Sequence, residues 1–132
     1  MTTDNLALVF DHLQARRAED VALLAAQLDP HVVHQGVLPE LVCSGRDAVL
    51  ARIRASFPQD GAGIDHIELF GAGDAVVLGL GGPRFQMAPH GPLSGQIFMV
   101  FTFRDGRIVR IADHLTRDEA LRTAGGATRD WS

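Results

Sequence analysis

The last strand-like segment of the chain carries one acidic residue on an otherwise apolar face. Arg110 is charged and should face solvent, so strand alternation places Asp113 with Ile111 and Leu115 on the opposite face. A carboxyl group in apolar surroundings is desolvated, which suits proton transfer near neutral pH. Asp113 is therefore a candidate catalytic residue. The alternative is a structural acid at the end of a strand, solvated or paired with an arginine.

A second candidate for acid–base chemistry lies in an earlier strand-like segment, where His34 precedes Gln35. Neighbouring strand residues point to opposite faces, and a one-residue slip in register would exchange them. A pocket-facing His34 would be the best general base in the chain, because histidine titrates nearest to neutral pH. The alternative is a structural, hydrogen-bonded histidine. His114 is adjacent to Asp113, so these two cannot form a pair in one pocket unless a bulge intervenes.

Other polar motifs give weaker indications. Arg84 follows Gly-Gly-Pro and could bind a carboxylate or enolate oxygen. His31 and His34 have a spacing found among metal ligands, but strand residues three apart face opposite ways, so we expect no metal. Neither GAGD nor GLGG joins a strand to a helix N-terminus, so nucleotide binding is not supported and we expect no cofactor. The single cysteine, Cys43, excludes an internal disulfide.

Three helices are predicted in the first half of the chain. The second begins near Val21 and ends at Asp29-Pro30, because the residue before a proline avoids the helical conformation. The third begins at Ser44 and ends at Pro58. The apolar stripes comprise Leu6, Val9, Phe10 and Leu13 in the first helix and Val49, Leu50, Ile53 and Phe57 in the third.

Strands and a closing helix make up the rest. The segment HVVHQGVLPELVC, between the second and third helices, has the pattern of two short strands around a turn. The sequence RDGR predicts a tight hairpin in which Gly106 takes a positive φ. A short helix is predicted over Arg117–Thr123. The remaining strands are predicted at Ile64–Phe70, Ala75–Leu80, Arg84–Met87, Ser94–Phe103 and Arg107–Leu115.

This order of elements predicts one α+β domain over residues 1–132, with a loose tail at 124–132. The strand Ile97–Phe103 is apolar on both faces, which is typical of a strand covered on both sides. The helices can cover one face. We expect a second subunit to cover the other, together with Ile108, which predicts a homodimer through the sheet face.

Composition limits the classes of function. The chain has 132 residues, of which 46% are hydrophobic and 21% charged, with a net charge of −4. The acidic balance argues against nucleic-acid and anionic-membrane binding. No apolar run approaches the roughly 20 residues that span a bilayer, and the N-terminus lacks the basic start of a secretory signal. These features predict a cytoplasmic location.

Three stretches carry a resemblance to a known family: QARRAEDVALLAAQLDPHVVHQG, SGRDAVLARI and FTFRDGRIVRIADHLTRDEAL. They resemble the nuclear transport factor 2-like (NTF2-like) superfamily, in its SnoaL-like polyketide cyclase and ketosteroid isomerase branch. The resemblance implies an NTF2-like cone, a curved antiparallel sheet wrapped around the N-terminal helices, with a hydrophobic pocket and usually a homodimer. Isomerases, cyclases, epoxide hydrolases, dehydratases and non-catalytic binders share this fold, so the fold alone does not give the function.

The isomerase residues of that branch do not carry over. The resemblance matches the family's carboxylate base to Gln35, its first-helix tyrosine to His12 and its long-strand acid to Met99. An aspartate on the final strand, as at Asp113, acts as acid or base in SnoaL-like members. Two hypotheses follow: an enzyme that moves a proton on a small apolar carbonyl or cyclic compound, or a non-catalytic ligand-binding or dimerisation module. The implied ligand-binding residues are His12, Gln35, Arg84, Met99, Phe101 and Ile111.

Overall fold

The computed structural model describes residues 2–55, 66–81, 87–88, 91–92 and 96–124. These residues form four helices and eight strands. The helices are α1 (Thr2–Ala18), α2 (Val21–Gln27), α3 (Arg46–Ala55) and α4 (Arg117–Ala124). The strands are β1 (Leu28–Gln35), β2 (Val42–Ser44), β3 (His66–Ala72), β4 (Ala75–Gly81), β5 (Met87–Ala88), β6 (Gly91–Pro92), β7 (Gln96–Arg104) and β8 (Arg107–His114).

Six strands form one curved sheet in the order β2-β1-β8-β7-β4-β3, which confirms the predicted α+β class. The expectation of a wholly antiparallel sheet is wrong in one pair, because β1 lies parallel to β8. No hairpin connects these two strands, so no tight turn forces them to run in opposite directions. The strands β5 and β6 form a separate pair.

Helices α1, α2 and α3 pack on one face of the sheet, here called the inner face. The apolar stripe predicted for α1 is partly wrong, because Phe10 is 50% exposed. The buried positions of α1 are instead Val9, His12 and Ala15, which share one side of the helix. A polar residue thus lies at the centre of the buried side of α1, which apolar periodicity could not reveal.

Helix α4 covers part of the opposite, outer face. Its Ala120 is buried against a cluster that includes Val77, Phe98 and Val100. Ile108 does not belong to this face, because an irregularity in the β7–β8 register lets it pack in the inner core. The apolar side of β7 that suggested a second subunit therefore has cover from the same chain. The homodimer remains a prediction.

Local boundaries agree in part with the sequence patterns. Helix α2 ends at Gln27, earlier than expected, and the residues before the proline begin β1. The predicted hairpin turn is confirmed, since Asp105 and Gly106 have φ values of 53° and 76°. Phe57, Pro58, Arg84 and residues 125–132 lie outside the described residues. Within the described ranges, no helix combines the length and apolar character needed to cross a membrane.

Candidate functional site

A histidine and an aspartate meet on the inner face of the sheet. The Nε2 atom of His34 lies 3.0 Å from both carboxylate oxygens of Asp113. The two residues are 5% and 8% exposed. A carboxylate can only accept hydrogen bonds, so His34 donates its Nε2–H. The structure thus joins the two candidate catalytic residues into one buried hydrogen-bonded pair.

The parallel pairing of β1 with β8 brings this pair together. Along β1, Val32 and His34 are buried, whereas Val33 and Gln35 are only half-buried. In register, His34 lies beside Ile111, two residues before Asp113. The predicted inward orientation of Asp113 fits this arrangement, and the carboxyl group has polar partners as well as apolar neighbours.

A third charged group stands beside the pair. Arg52 on α3 places Nη2 at 3.8 Å from Oδ2 of Asp113, and its side chain is 34% exposed. This guanidinium partly balances the negative charge of the carboxylate from the solvent side. Asp113 therefore lies between two basic side chains, one buried and one partly exposed.

The second ring nitrogen of His34 is not used in this network. Its Nδ1 atom is buried and has no hydrogen-bond partner among the described residues. In a neutral ring whose Nε2 carries the hydrogen, Nδ1 has a free lone pair. A base whose other nitrogen is oriented by a carboxylate is the general arrangement by which histidine accepts a proton in catalysis.

A second buried histidine, His12 on α1, lies against the same face. Its Nδ1 atom is 3.2 Å from Oε1 of Gln27, and its ring packs edge-on against Phe101 at 5.4 Å between centroids. Burial lowers the pKa of His12 to about 3, the charges of Arg16 and His34 lower it as well, and the Gln27 hydrogen bond acts against them. His12 is therefore neutral at ordinary pH.

Three apolar residues predicted to contact ligand lie around these polar groups. Met99 is the cross-strand partner of Asp113, and Phe101 is the partner of Ile111. All three pack in the inner core with α1. The inner-face site is hereafter His12, His34 and Asp113 with these three neighbours.

Two other predicted residues do not join this site. The amide of Gln35 donates to the backbone carbonyls of Leu38, at 2.9 Å, and Gly36, at 3.1 Å, so it stabilises the β1–β2 turn. The resemblance matched Gln35 to the family's carboxylate base, and that correspondence stays a prediction. The structure buries the neighbouring His34, rather than Gln35, on the inner face. Arg84 lies outside the described residues.

His114 lies on the other side of the sheet, as the alternation predicts. Its cross-strand partner is Phe98, which packs under α4. Desolvation lowers the pKa of His114, and the negative charges of Glu119 and Asp113 oppose that shift. It forms no hydrogen bond with Asp113 in the part of the chain that the structure describes.

Sequence reasoning missed Gln27 and Arg52, although both carried a signal. Gln27 follows Leu24 by three residues, so it is a polar residue on the buried side of a helix. Arg52 follows Val49 by three residues and precedes Ile53, so it borders the buried stripe of α3. A polar residue within or beside an apolar stripe is the pattern that would have found both.

An open cleft lies apart from this site. It has a volume of about 340 Å³ and involves neither His34 nor Asp113. Its lining consists of Pro30, Ser44, Gly45, Arg46, Asp47 and Ala48. Over the described ranges, no three His, Cys, Asp or Glu residues cluster in a way that could hold a metal ion.

Comparisons with known proteins point to one domain family. The profile of the SnoaL-like domain matches residues 9–111. No curated protein sequence matches the chain significantly.

Three solved structures illustrate the structural similarity. A predicted polyketide cyclase from Sinorhizobium meliloti is 21% identical, with a TM-score of 0.62, 82% of this chain and 94% of that chain covered. An LEH-like epoxide hydrolase from M. tuberculosis is 18% identical, with a TM-score of 0.60 and coverages of 93% and 86%. Bal32a, from a soil-derived mobile gene cassette, is 16% identical, with a TM-score of 0.67 and coverages of 93% and 97%. At these identities the similarity concerns the fold.

Proposed function

Because this chain belongs to the SnoaL-like domain family, we propose that it binds a small, mainly apolar carbonyl or cyclic compound and transfers a proton on it. The reaction classes that fit are isomerisation, cyclisation and dehydration. The proton-transfer group is His34. Asp113 orients the imidazole ring and stabilises its protonated form. Side chains of the inner-face site both bind the substrate and transfer the proton.

One observation carries this proposal. His34 donates through Nε2 to both oxygens of Asp113 at 3.0 Å, while its Nδ1 is buried and unpartnered among the residues described. A buried polar atom without a partner costs about 1–3 kcal/mol. His12, His34 and His114 each have such a nitrogen, and of these three His34 is the one whose other nitrogen is bonded to a carboxylate in the described part of the chain. A free, buried lone pair beside an oriented carboxylate suits a base that meets its substrate there.

The proton follows a simple path. The Nδ1 lone pair of His34 takes a proton from the carbon next to the substrate carbonyl, and the C–H electrons form an enolate with the carbonyl. The resulting imidazolium is stabilised by the carboxylate of Asp113, which keeps its own charge. Where a carbon–carbon double bond is conjugated with the enolate, return of the proton to the far carbon of that dienolate isomerises the substrate. Where the carbon next to the enolate carbon bears a hydroxyl group, transfer of the proton to that oxygen as its C–O bond breaks releases water and leaves a carbon–carbon double bond.

The other residues of the site bind rather than react. Met99, Phe101 and Ile111 belong to the buried apolar core around the pair, and we propose that they contact a substrate with little charge. Arg52 gives Asp113 a second positive neighbour. A substrate in this surrounding would be shielded from water, which strengthens the interaction between imidazolium and carboxylate.

Binding without turnover is the second candidate function. It is favoured by the residues at the positions where the isomerase branch has its base, tyrosine and acid. These are Gln35, His12 and Met99, and neither the Gln35 amide nor the Met99 thioether transfers protons at ordinary pH. His12 is neutral with a strongly lowered pKa. A ligand carrier would need only the apolar surface and one or two hydrogen bonds.

Deuterium uptake tests the proposal. Cyclohexanone is incubated with the protein in deuterium oxide, and exchange of its α-hydrogens is followed by NMR. We expect His34→Gln to lower the protein-dependent exchange rate by about 100-fold or more. His31→Gln makes the same change at an exposed position of the same strand and should leave the rate unchanged. Equal rates in the parent and His34→Gln would contradict the proposal, and binding without exchange in the parent would favour the carrier.

A further inference from the structure

We infer that the ligand of this protein carries a hydroxyl group, and that His12 accepts a hydrogen bond from it at Nε2. The inference rests on the proposed function, because it concerns the same inner-face site. It adds the chemical class of the ligand: a small apolar alcohol, enol or phenol, with or without the carbonyl group.

A hydrogen bond to the backbone fixes the orientation of the Gln27 side chain. Its amide nitrogen, Nε2, lies 3.4 Å from the backbone carbonyl oxygen of Leu8. A carbonyl oxygen can only accept a hydrogen bond, so the NH₂ group of Gln27 must be on that side. The amide oxygen, Oε1, therefore faces His12, from which it is separated by 3.2 Å.

The orientation of Gln27 in turn fixes the tautomer of His12. The amide oxygen of Gln27 is an acceptor, so Nδ1 of His12 must carry the hydrogen and donate it. A neutral imidazole has one hydrogen for its two nitrogens, and burial keeps this ring neutral at ordinary pH. Nε2 of His12 is therefore a bare acceptor. Gln27 acts as a positioning residue that holds it in this state.

The acceptor of His12 lies on the same face of the sheet as His34. His12 is 1% exposed, and its Nε2 has no partner among the residues that the structure describes. The His12 ring packs against Phe101 on β7. Phe101 pairs with Ile111 on β8, and Ile111 pairs with His34 on β1. His12 thus packs over β7, and His34 lies on β1, two strands away on the same face of the sheet.

The polarity of this acceptor distinguishes among ligands. A hydroxyl group can donate to Nε2, whereas a ketone or ether oxygen meets it lone pair to lone pair and leaves it unsatisfied. In the isomerase branch that the chain resembles, the matching position holds a tyrosine, whose hydroxyl can donate to an oxyanion. With its tautomer fixed, His12 accepts a hydrogen bond at this position instead of donating one.

A matched pair of probes tests the inference. Cyclohexanol and cyclohexanone have nearly the same size and shape, and their dissociation constants can be measured by NMR titration. We expect the parent protein to bind cyclohexanol about tenfold more tightly than cyclohexanone, the effect of one buried hydrogen bond. His12→Phe should abolish the preference by weakening alcohol binding. In Gln27→Leu the hydrogen of His12 is no longer held on Nδ1 and can occupy Nε2, which can then donate to a ketone oxygen. This variant should therefore bind cyclohexanone more tightly and show a smaller preference for cyclohexanol.

A measurement on the unmodified protein guards against misfolded variants. In parent protein labelled with ¹⁵N-histidine, the Nε2 resonance of His12 should be that of an unprotonated nitrogen and should shift when cyclohexanol is added. A protonated Nε2, equal affinity for the two probes, or no binding of cyclohexanol would each overturn the inference.

These outcomes are separable from those of the proton-transfer test. A parent protein that exchanges the hydrogens of cyclohexanone through His34 but shows no preference for cyclohexanol overturns this inference alone. A parent protein that prefers cyclohexanol but exchanges no hydrogens of cyclohexanone contradicts the proton-transfer proposal and supports the hydroxyl assignment.

Discussion

His34 and Asp113 are 79 residues apart in the sequence, yet Nε2 of the histidine lies 3.0 Å from each oxygen of the carboxylate. The Nε2–H group of His34 and the carboxylate of Asp113 serve as each other's buried hydrogen-bond partner. Removing either one leaves a polar or charged group buried without its partner, which is more costly than never having buried the pair. The pair is thus a structural unit as well as a candidate proton-transfer unit.

A double-mutant cycle measures this coupling. We expect His34→Ala and Asp113→Ala each to lower the free energy of unfolding by about 1–3 kcal/mol. The double variant should lose less than the sum of the two, by at least about 1 kcal/mol, because both partners are then gone. Urea unfolding of the four proteins gives the values. The same cycle with Arg52→Ala should give a smaller coupling, because Arg52 is partly exposed. Additive losses for His34 and Asp113 would contradict a direct bond between them.

His12 should make the fold sensitive to acid. Its pKa is lowered from 6.5 to about 3 on folding, so between these values the unfolded chain binds a proton that the folded chain does not. Above pH 6.5 His12 is neutral in both states, so its titration does not change the free energy of unfolding. As the pH falls below 6.5, the free energy of unfolding decreases by up to about 1.4 kcal/mol per pH unit. Urea unfolding of the parent and His12→Phe from pH 8 to pH 4.5 checks this. The difference in stability between them should be constant above pH 6.5 and change steadily in favour of the variant below it; a flat difference would mean that His12 charges freely in the folded protein.

Helix α4 should be necessary for covering the outer face of the sheet. Ala120 is fully buried against Phe98 and Val100, whereas the next residue, Leu121, is partly exposed. Ala120→Glu should lower the free energy of unfolding by about 3 kcal/mol or more, because it buries a charge. Leu121→Glu introduces the same side chain and should cost less than about 1 kcal/mol. Similar losses in both variants, measured by thermal unfolding, would show that α4 does not pack in this way.

The predicted homodimer requires a direct test, because α4 supplies part of the cover that suggested a second subunit. Two copies would have to meet over the sheet area that α4 leaves open. Light scattering at several concentrations should give twice the monomer mass of 14.2 kDa. A stable monomer on dilution would exclude the dimer and leave the inner-face site complete within one chain.

The sequence predicted the local features of this molecule better than the non-local ones. Alternation around Arg110 correctly turned Asp113 inward, and the RDGR turn was found from its glycine. The parallel partnership of β1 and β8 depends on chain segments about 80 residues apart, and no local pattern encodes it. The choice between His34 and Gln35 depended on that partnership. This is why the sequence offered both residues and only the structure joined one of them to Asp113.

The buried side of α1 shows a second limit. Apolar periodicity favoured Phe10, but the helix buries His12 because Gln27 on α2 satisfies one of its ring nitrogens. A polar residue becomes suitable for the core only through a partner, and that partner lies 15 residues away. Reading polar residues in apolar stripes as pairs, rather than singly, would have brought these two together.

The protonation pattern of His34 tests the central claim most directly. In ¹⁵N-histidine-labelled protein, at a pH where the ring is neutral, two-bond ¹⁵N–¹H spectra show which nitrogen carries the hydrogen. We expect a hydrogen on Nε2 and an unprotonated Nδ1 for His34, and a weaker preference for this tautomer in Asp113→Ala. A hydrogen on Nδ1, or a tautomer unaffected by loss of Asp113, would contradict the assignment of His34 as a base held by that carboxylate.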